Sequence, residues 1–270
     1  MVFVDLSQVG LVLFGVVLFF ALIGAFYAGG TIGLWRRPGA EQDTEGVGFV
    51  VTGMLGLLAF SLGLTLSMAQ GRFEARRAAS LQEANAIGTA WLRAQGIGHP
   101  RGEAIAGLLE DYTRLRIEFV RAGPDRAGVD AMNRRTNAMQ NQIWGHVAAI
   151  VRERPDPVAA ALQASLNDTF DMSTAQRWAF AATLPQEMSL LLLGMSVLTI
   201  GGIGYLFGLK GRRHPFASLM LIAMWAAAIT TIADLSTPRI GAVRVDTQVY
   251  EWTLQGFQGG ITIPPTPAPR

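Results

Sequence analysis

Few residues in this sequence have the type and position that chemistry requires, and Asp234 is the most informative of them. It closes a run from 216 to 235 that is otherwise uncharged. An ionisable side chain at membrane depth is costly and is usually paired or functional. Two interpretations follow. Asp234 either holds the turn after a helix, by accepting backbone N–H groups or by pairing with Arg239, or forms an ion or proton site.

A second carboxylate, Glu83, lies on a polar stretch that continues an apolar run. It follows Arg76 by seven residues, so the two side chains share one face of a helix. We expect Glu83 to pair with an arginine or to accept N–H groups from a helix end. The alternative is a cation site, in which Glu83 and backbone carbonyls are the ligands. Asn85 lies beside it and belongs to the same structural or ion-site group.

Three arginines, Arg72, Arg76 and Arg77, follow directly after the second apolar run. A ring of arginines at the mouth of a pore concentrates anions. The alternative is that they anchor the helix among lipid headgroups, as basic residues commonly do at membrane edges. Both interpretations place these residues at the end of a membrane helix.

Other kinds of site find no support in the sequence. The chain has no cysteine, and His99, His146 and His214 lack the spacing of metal ligands, so neither a metal nor a cofactor is predicted. No Ser-His-Asp arrangement, phosphate loop or dinucleotide fingerprint is present, and we predict that the protein is not an enzyme. The net charge of +2 gives no argument for nucleic acid as a partner.

The composition indicates a protein that lies partly in lipid and partly in water. Half of the 270 residues are hydrophobic, and the mean hydropathy of +0.32 is too high for an ordinary soluble domain. At 16%, charged residues are too many for a chain wholly in lipid. We therefore expect an integral membrane protein whose partners include the lipid bilayer.

Four apolar segments are long enough to cross a bilayer, which takes about 20 residues. They run from 9 to about 32, 47 to 68, 185 to 209 and 216 to 235. The loops between the first two and between the last two are short, so the segments form two hairpins. The expected fold is an all-α membrane protein with four transmembrane helices.

A polar region with helical periodicity is inserted between the hairpins. Its apolar residues recur at helical spacing, as in Ile105, Leu109, Tyr112 and Phe119. No convincing strand pattern appears. The predicted domains are a first hairpin (1–70), a helical water-exposed domain (71–183), a second hairpin (184–238) and an extended proline-rich tail (239–270).

The segment from Val47 to Trp91 organises the rest of the chain. No proline interrupts it, so we predict one helix that leaves the membrane past Gly71 and continues into water. One face carries Leu57, Phe60, Leu64 and Ser67 at spacings of three and four residues. In an oligomer, this face could form an apolar constriction that gates by dewetting. The alternative is ordinary packing against other helices, which the small residues Gly56, Ala59 and Gly63 beside this face would permit. In the third apolar segment, Gly201 and Gly204 likewise suit close packing of helices.

Three blocks of this sequence resemble the bestrophin-like family of bacterial membrane proteins. They are residues 57–60 (Leu-Leu-Ala-Phe), 83–93 (beginning Glu-Ala-Asn) and 232–241 (containing Asp-Leu-Ser-Thr-Pro-Arg-Ile-Gly). The resemblance implies a bacterial inner-membrane protein distantly similar to bestrophins, which are oligomeric anion channels with cytosolic helical domains. It also implies a homo-oligomer in which the second membrane helix lines the pore and small inorganic ions pass.

Two expectations stay open from the sequence. The basic residues divide almost evenly between the two sides of the membrane, and Arg36 and Arg37 locally favour an outside N-terminus, against the cytoplasmic helical domain that the resemblance implies. The leading function is an anion channel. The alternative is a non-conducting scaffold or sensor that docks partners through its helical domain.

Overall fold

The computed structural model describes residues 10–36, 44–211, 214–262 and 264, and these residues contain helices but no strand. Eight helices are described. They are α1 (Leu11–Arg36), α2 (Thr44–Gly96), α3 (Pro100–Arg121), α4 (Arg126–Glu153), α5 (Pro157–Ala181), α6 (Gln186–Lys210), α7 (Pro215–Ser236) and α8 (Gln248–Phe257). The predicted all-α class is confirmed.

Four stretches of the described residues are long and apolar enough to cross a membrane. Three of them lie on α1, α2 and α7. The fourth lies in the range Pro157–Lys210, which contains α5 and α6. The predicted segments match these helices, because each apolar run lies within a helix or within two residues of its ends. The acidic loop residues Glu41 and Asp43 and the basic residues Arg37, Arg212 and Arg213 lie outside the described residues.

The chain divides into two compact units. The membrane unit comprises Met1–Phe73 and Thr183–Arg244, and the helical unit comprises Glu74–Ala182 and Val245–Arg270. Helix α2 runs unbroken for 53 residues, so the predicted continuation of the second membrane helix past Gly71 is confirmed. No proline or left-handed residue interrupts it.

Within the membrane unit, the closest packing joins α1 to α6. A Cβ atom added to Gly29 would lie 1.9 Å from the carbonyl oxygen of Gly201, and one added to Gly33 would lie 3.0 Å from the Cα of Gly208. The later glycine of α1 contacts the later glycine of α6, so the two helices run parallel. The close packing predicted for the glycines of α6 is confirmed, since small residues let helix backbones touch.

Two helices of the helical unit, α4 and α5, begin at well-formed caps. The carboxylate of Asp125 accepts the N–H groups of Ala127 and Gly128 at the start of α4, each at 3.0 Å. Asp156 does the same at the start of α5, with Val158 at 3.0 Å and Ala159 at 2.8 Å. Each carboxylate satisfies two of the backbone donors that a helix start leaves without partners.

The region after Ile240 corrects one prediction. An extended tail is predicted for residues 239–270, yet Gln248–Phe257 forms α8, with Tyr250 and Phe257 buried. A ten-residue helix is marginal in isolation, and packing of its apolar face stabilises it. Here Phe257 stacks on Trp91 of α2, with ring centroids 4.6 Å apart. Local composition therefore missed a helix that tertiary contacts stabilise.

Candidate functional site

One face of α2 within the membrane unit is exposed in the single chain. Leu57 and Phe60 are 59% and 63% exposed, and Leu64 and Ser67 continue the same exposed stripe. The opposite face is buried and carries Val51, Leu58, Thr65 and Ala69. The predicted pore residues therefore lie together on a surface that the rest of the membrane unit leaves uncovered.

Small residues flank this stripe and leave space around it. A Cβ atom added at Gly53, Gly56 or Gly63 would meet no other heavy atom within 4 Å. These glycines therefore do not serve packing inside the membrane unit, in contrast to those of α1 and α6. The exposed face of α2 is free to contact lipid, a pore or a second copy of the chain.

The three predicted arginines do not share one surface. Arg76 is 1% exposed, whereas Arg77 is exposed and lies 3.4 Å from the Glu74 carboxylate. Arg72 is half-buried at the end of the membrane unit. In a single chain, the three arginine side chains therefore do not form one exposed group.

Glu83 lies at the centre of a buried polar cluster in the helical unit. Its side chain is fully buried, and its Oε1 is 2.7 Å from Nε of Arg116, which is also buried. At this distance the two opposite charges form an ion pair. Tyr250 donates its hydroxyl to Oε2 at 2.5 Å, and Tyr112 donates to Oε1 at 3.4 Å. The carboxylate thus has three partners from two helices, α3 and α8.

Gln176 of α5 links the same cluster to its surroundings. Its amide oxygen accepts a hydrogen bond from Arg116, and its amide nitrogen donates to Tyr250 and, at 2.8 Å, to the Ser80 hydroxyl. The Arg116 guanidinium also lies over the Phe119 ring, 4.4 Å from its centroid. Helices α2, α3, α5 and α8 therefore meet at one hydrogen-bonded group.

The electrostatics of the cluster keep its tyrosines neutral and its arginine charged. Burial, followed by the negative charge of Glu83, raises the pKa of both Tyr112 and Tyr250 above the ordinary tyrosine value. For Arg116, burial is the largest single influence and lowers the pKa, but Glu83, Tyr112 and Tyr250 together outweigh it, so the net shift is upward. A buried pair of this kind is costly to break, because one charge would remain without a partner.

This arrangement favours a structural role for Glu83 over a cation site. Its oxygens already face an arginine and two tyrosine hydroxyls, and no group of three or more His, Cys, Asp or Glu able to hold a metal exists among the described residues. Asn85 lies elsewhere, on the exposed side of α2. Glu83 and Asn85 therefore do not form one site.

Asp234 is buried at the end of α7 and faces the loop that follows. Its Oδ1 accepts the N–H of Val243 at 3.3 Å. Gly241 adopts a φ of +99°, and a Cβ atom added there would lie 2.0 Å from the same oxygen. Only glycine suits this position, which explains the spacing between aspartate and glycine in this block. The geometry favours the turn interpretation, and Arg239 lies in the same loop.

Sequence reasoning missed the partners of Glu83. Arg116 lies on the apolar face of α3, four residues after Tyr112, and an arginine at that position signals a buried partner. Tyr250 was hidden in the segment predicted to be extended. Gln176 carries no local signal, because an amide within a helix is ordinary on any exposed face.

Comparison with known proteins places this architecture. The model of the Bestrophin-like domain matches residues 18–250. A structure of a Klebsiella pneumoniae bestrophin homolog variant has a TM-score of 0.62 and 16% identity, covering 87% of this chain and 96% of that chain. A second variant has a TM-score of 0.63 and 17% identity, covering 90% and 99%. At these identities the likeness shows the fold. No curated protein matches the sequence.

Proposed function

Because the chain belongs to the bestrophin-like family, we propose that it forms an oligomeric membrane channel for anions, with α2 lining the pore. The observation that carries this proposal is the exposed stripe of Leu57, Phe60, Leu64 and Ser67 on a membrane helix whose other face is buried. If copies of the chain assemble with α2 facing the axis, this uncovered apolar surface would form the wall of the pore.

The chemistry of the stripe suits a gate. Copies of Leu57, Phe60 and Leu64 around an axis form a narrow apolar ring that water leaves readily, and ions cannot pass a dry constriction. Ser67 ends the apolar part of the stripe with a hydroxyl. Opening would require the rings to widen, and the open space beside Gly56 and Gly63 leaves room for that movement.

Selectivity for anions would depend on the charged residues that follow the apolar stripe on α2. At the spacing of the stripe, the residues after Ser67 are Gly71 and Glu74, and the Glu74 carboxylate is paired with Arg77. This pairing offsets a negative charge that would repel anions. Arg72, half-buried at the end of the membrane unit, is the arginine best placed to attract them.

A second function is supported by the surface of the helical unit. Trp178, Leu92 and Trp252 are large apolar side chains that remain more than half exposed. Exposed aromatic residues of this kind are enriched where partner proteins dock. A non-conducting scaffold or sensor is therefore the alternative. Under either function we place the protein in the bacterial inner membrane, with the helical unit in the cytoplasm.

Ion flux from liposomes tests the channel. Liposomes that contain the purified protein should release trapped chloride. Phe60→Ala should raise this efflux by about tenfold, because it removes the largest side chain from the apolar constriction. A tenfold change corresponds to a barrier lowered by about 1.4 kcal/mol. Parallel measurements with potassium report the selectivity.

The matched control is Leu198→Ala, an exposed apolar residue of α6 outside the stripe, which should leave efflux unchanged. If neither the parent protein nor Phe60→Ala conducts, the channel is ruled out and the scaffold takes its place. If potassium passes and chloride does not, the pore stands but the proposed anion selectivity fails.

A further inference from the structure

A cleft of about 300 Å³ lies inside the membrane unit, between α1, α6 and α7. Its walls are mainly apolar and include Ile23, Phe26, Phe207 and Ile222. None of its lining residues comes from α2. The cleft is therefore separate from the exposed stripe on which the proposed pore depends.

One polar group in the cleft has no partner. Ser218 is 6% exposed, and its hydroxyl oxygen makes no hydrogen bond. Several other hydroxyls in membrane helices of this chain bind the carbonyl four residues earlier, as Ser196 does with Leu192 at 2.7 Å. The hydroxyl oxygen is itself covered by protein atoms, so the Ser218 side chain must rotate toward the cleft to reach a ligand. Because a buried hydroxyl without an acceptor is costly, a ligand that offers an acceptor oxygen would stabilise the rotated side chain.

The position of the cleft along the helices adds a charge. It lies beside the last turns of α1 and α6 and the first turns of α7, where Leu34, Gly208 and His214 line it. Helix α1 ends at Arg36 and α6 ends at Lys210, and both residues are exposed. The same end of the bundle thus combines an apolar cleft, a hydroxyl donor and two cations.

We propose that this cleft binds one anionic glycerophospholipid. The acyl chain of the lipid fills the apolar part of the cleft, and an ester carbonyl accepts a hydrogen bond from the Ser218 hydroxyl. The phosphate of the lipid lies near Arg36 and Lys210. The three features match the three parts of such a lipid in the order in which they occur along the molecule. A zwitterionic lipid shares the chain and the ester but gains less from the two cations.

Titration of the purified full-length protein with dioleoyl phosphatidylglycerol, followed by native mass spectrometry in detergent, tests this proposal. We expect one tightly bound lipid per chain and weaker binding of dioleoyl phosphatidylcholine. Ser218→Ala should weaken phosphatidylglycerol binding by about fivefold, the usual effect of one hydrogen bond. Arg36→Gln combined with Lys210→Gln should remove the preference between the two lipids.

Blocking the cleft gives the sharpest result. Leu219 lines it and is 47% exposed, so Leu219→Trp should fill the opening without disturbing the core and should abolish tight binding. The control is Leu198→Trp, an exposed apolar residue of α6 outside the cleft, which should bind as the parent does. Equal binding by Leu219→Trp and the parent overturns the proposal. A changed oligomeric state with unchanged lipid content also overturns it, because a second copy would then occupy the cleft.

Discussion

The two units of this protein achieve specific packing by opposite means. In the membrane unit, α1 and α6 touch through backbone, and neither Gly29 nor Gly204 has space for even a Cβ atom. In the helical unit, four helices meet through long polar side chains around Glu83 and Arg116. Glycines specify the packing of the membrane unit, and a few buried polar side chains that pair with one another specify that of the helical unit.

The difference follows from the solvent around each unit. Lipid tails are as apolar as leucine, so apolar burial does not drive helices together in a membrane, and close backbone contact takes its place. In water, apolar burial supplies most of the stability but is not directional. A buried ion pair with hydrogen-bonded neighbours can add geometric constraint, which we infer is the role of the Glu83 cluster.

The largest effect that would sharpen this comparison is expected at Arg116. Arg116→Met leaves the Glu83 carboxylate buried without its cation, which should destabilise the protein by about 3–5 kcal/mol. Denaturant titration in detergent, followed by tryptophan fluorescence, measures the loss. Adding Glu83→Gln should recover most of it, since neither charge then remains.

Arg114→Met is the matched control, because Arg114 is on the same helix but exposed, with its ion pair to Asp111 at the surface. It should change stability by less than about 1 kcal/mol. A loss at Arg116 no larger than that at Arg114 would show that the cluster contributes little to stability.

A smaller effect is expected from the glycine contact of the membrane unit. In Gly204→Ala, the new methyl group would lie 2.0 Å from the carbonyl oxygen of Phe26, so α1 and α6 must separate. The expected cost is about 1–3 kcal/mol. Thermal unfolding in detergent measures it. Gly194→Ala, on the same helix with nothing within 4 Å, should be neutral or slightly stabilising.

The smallest effect is a loss of stability at alkaline pH from the helical unit. The pKa values of Tyr112 and Tyr250 are raised in the folded state, so their contribution is complete below pH 10, the ordinary tyrosine value. Above it, the unfolded chain ionises first, and stability should fall by about 1.4 kcal/mol per pH unit for each tyrosine.

Denaturant midpoints between pH 9 and pH 11 report this slope, and Tyr250→Phe should reduce it. An equal slope in the parent and in Tyr250→Phe would contradict the assigned burial of the hydroxyl.

The membrane helices could be predicted because lipid imposes a long apolar run, which is a local property of the sequence. The continuity of α2 was equally local, since it required only that no proline interrupt the segment. Helix α8 could not be read in this way, because its stability comes from residues as distant as Trp91.

The candidate sites differ in the same way, because one depends on local sequence and the other on contacts between distant helices. The stripe from Leu57 to Ser67 follows from helical periodicity alone, whereas the partners of Glu83 lie between 29 and 167 positions further along the chain. Spacing within one helix shows which side chains share a face. It does not show which other helix covers that face.

The parallel contact between α1 and α6 also sets an order of events during synthesis. Gly29 and Gly201 are roughly 170 residues apart, so at ordinary translation rates α1 waits about 10–30 seconds for α6 to emerge. During that interval the glycine face of α1 meets only lipid or insertion machinery. A ribosome pause between the two segments would lengthen the period in which this first helix can pair with a wrong neighbour.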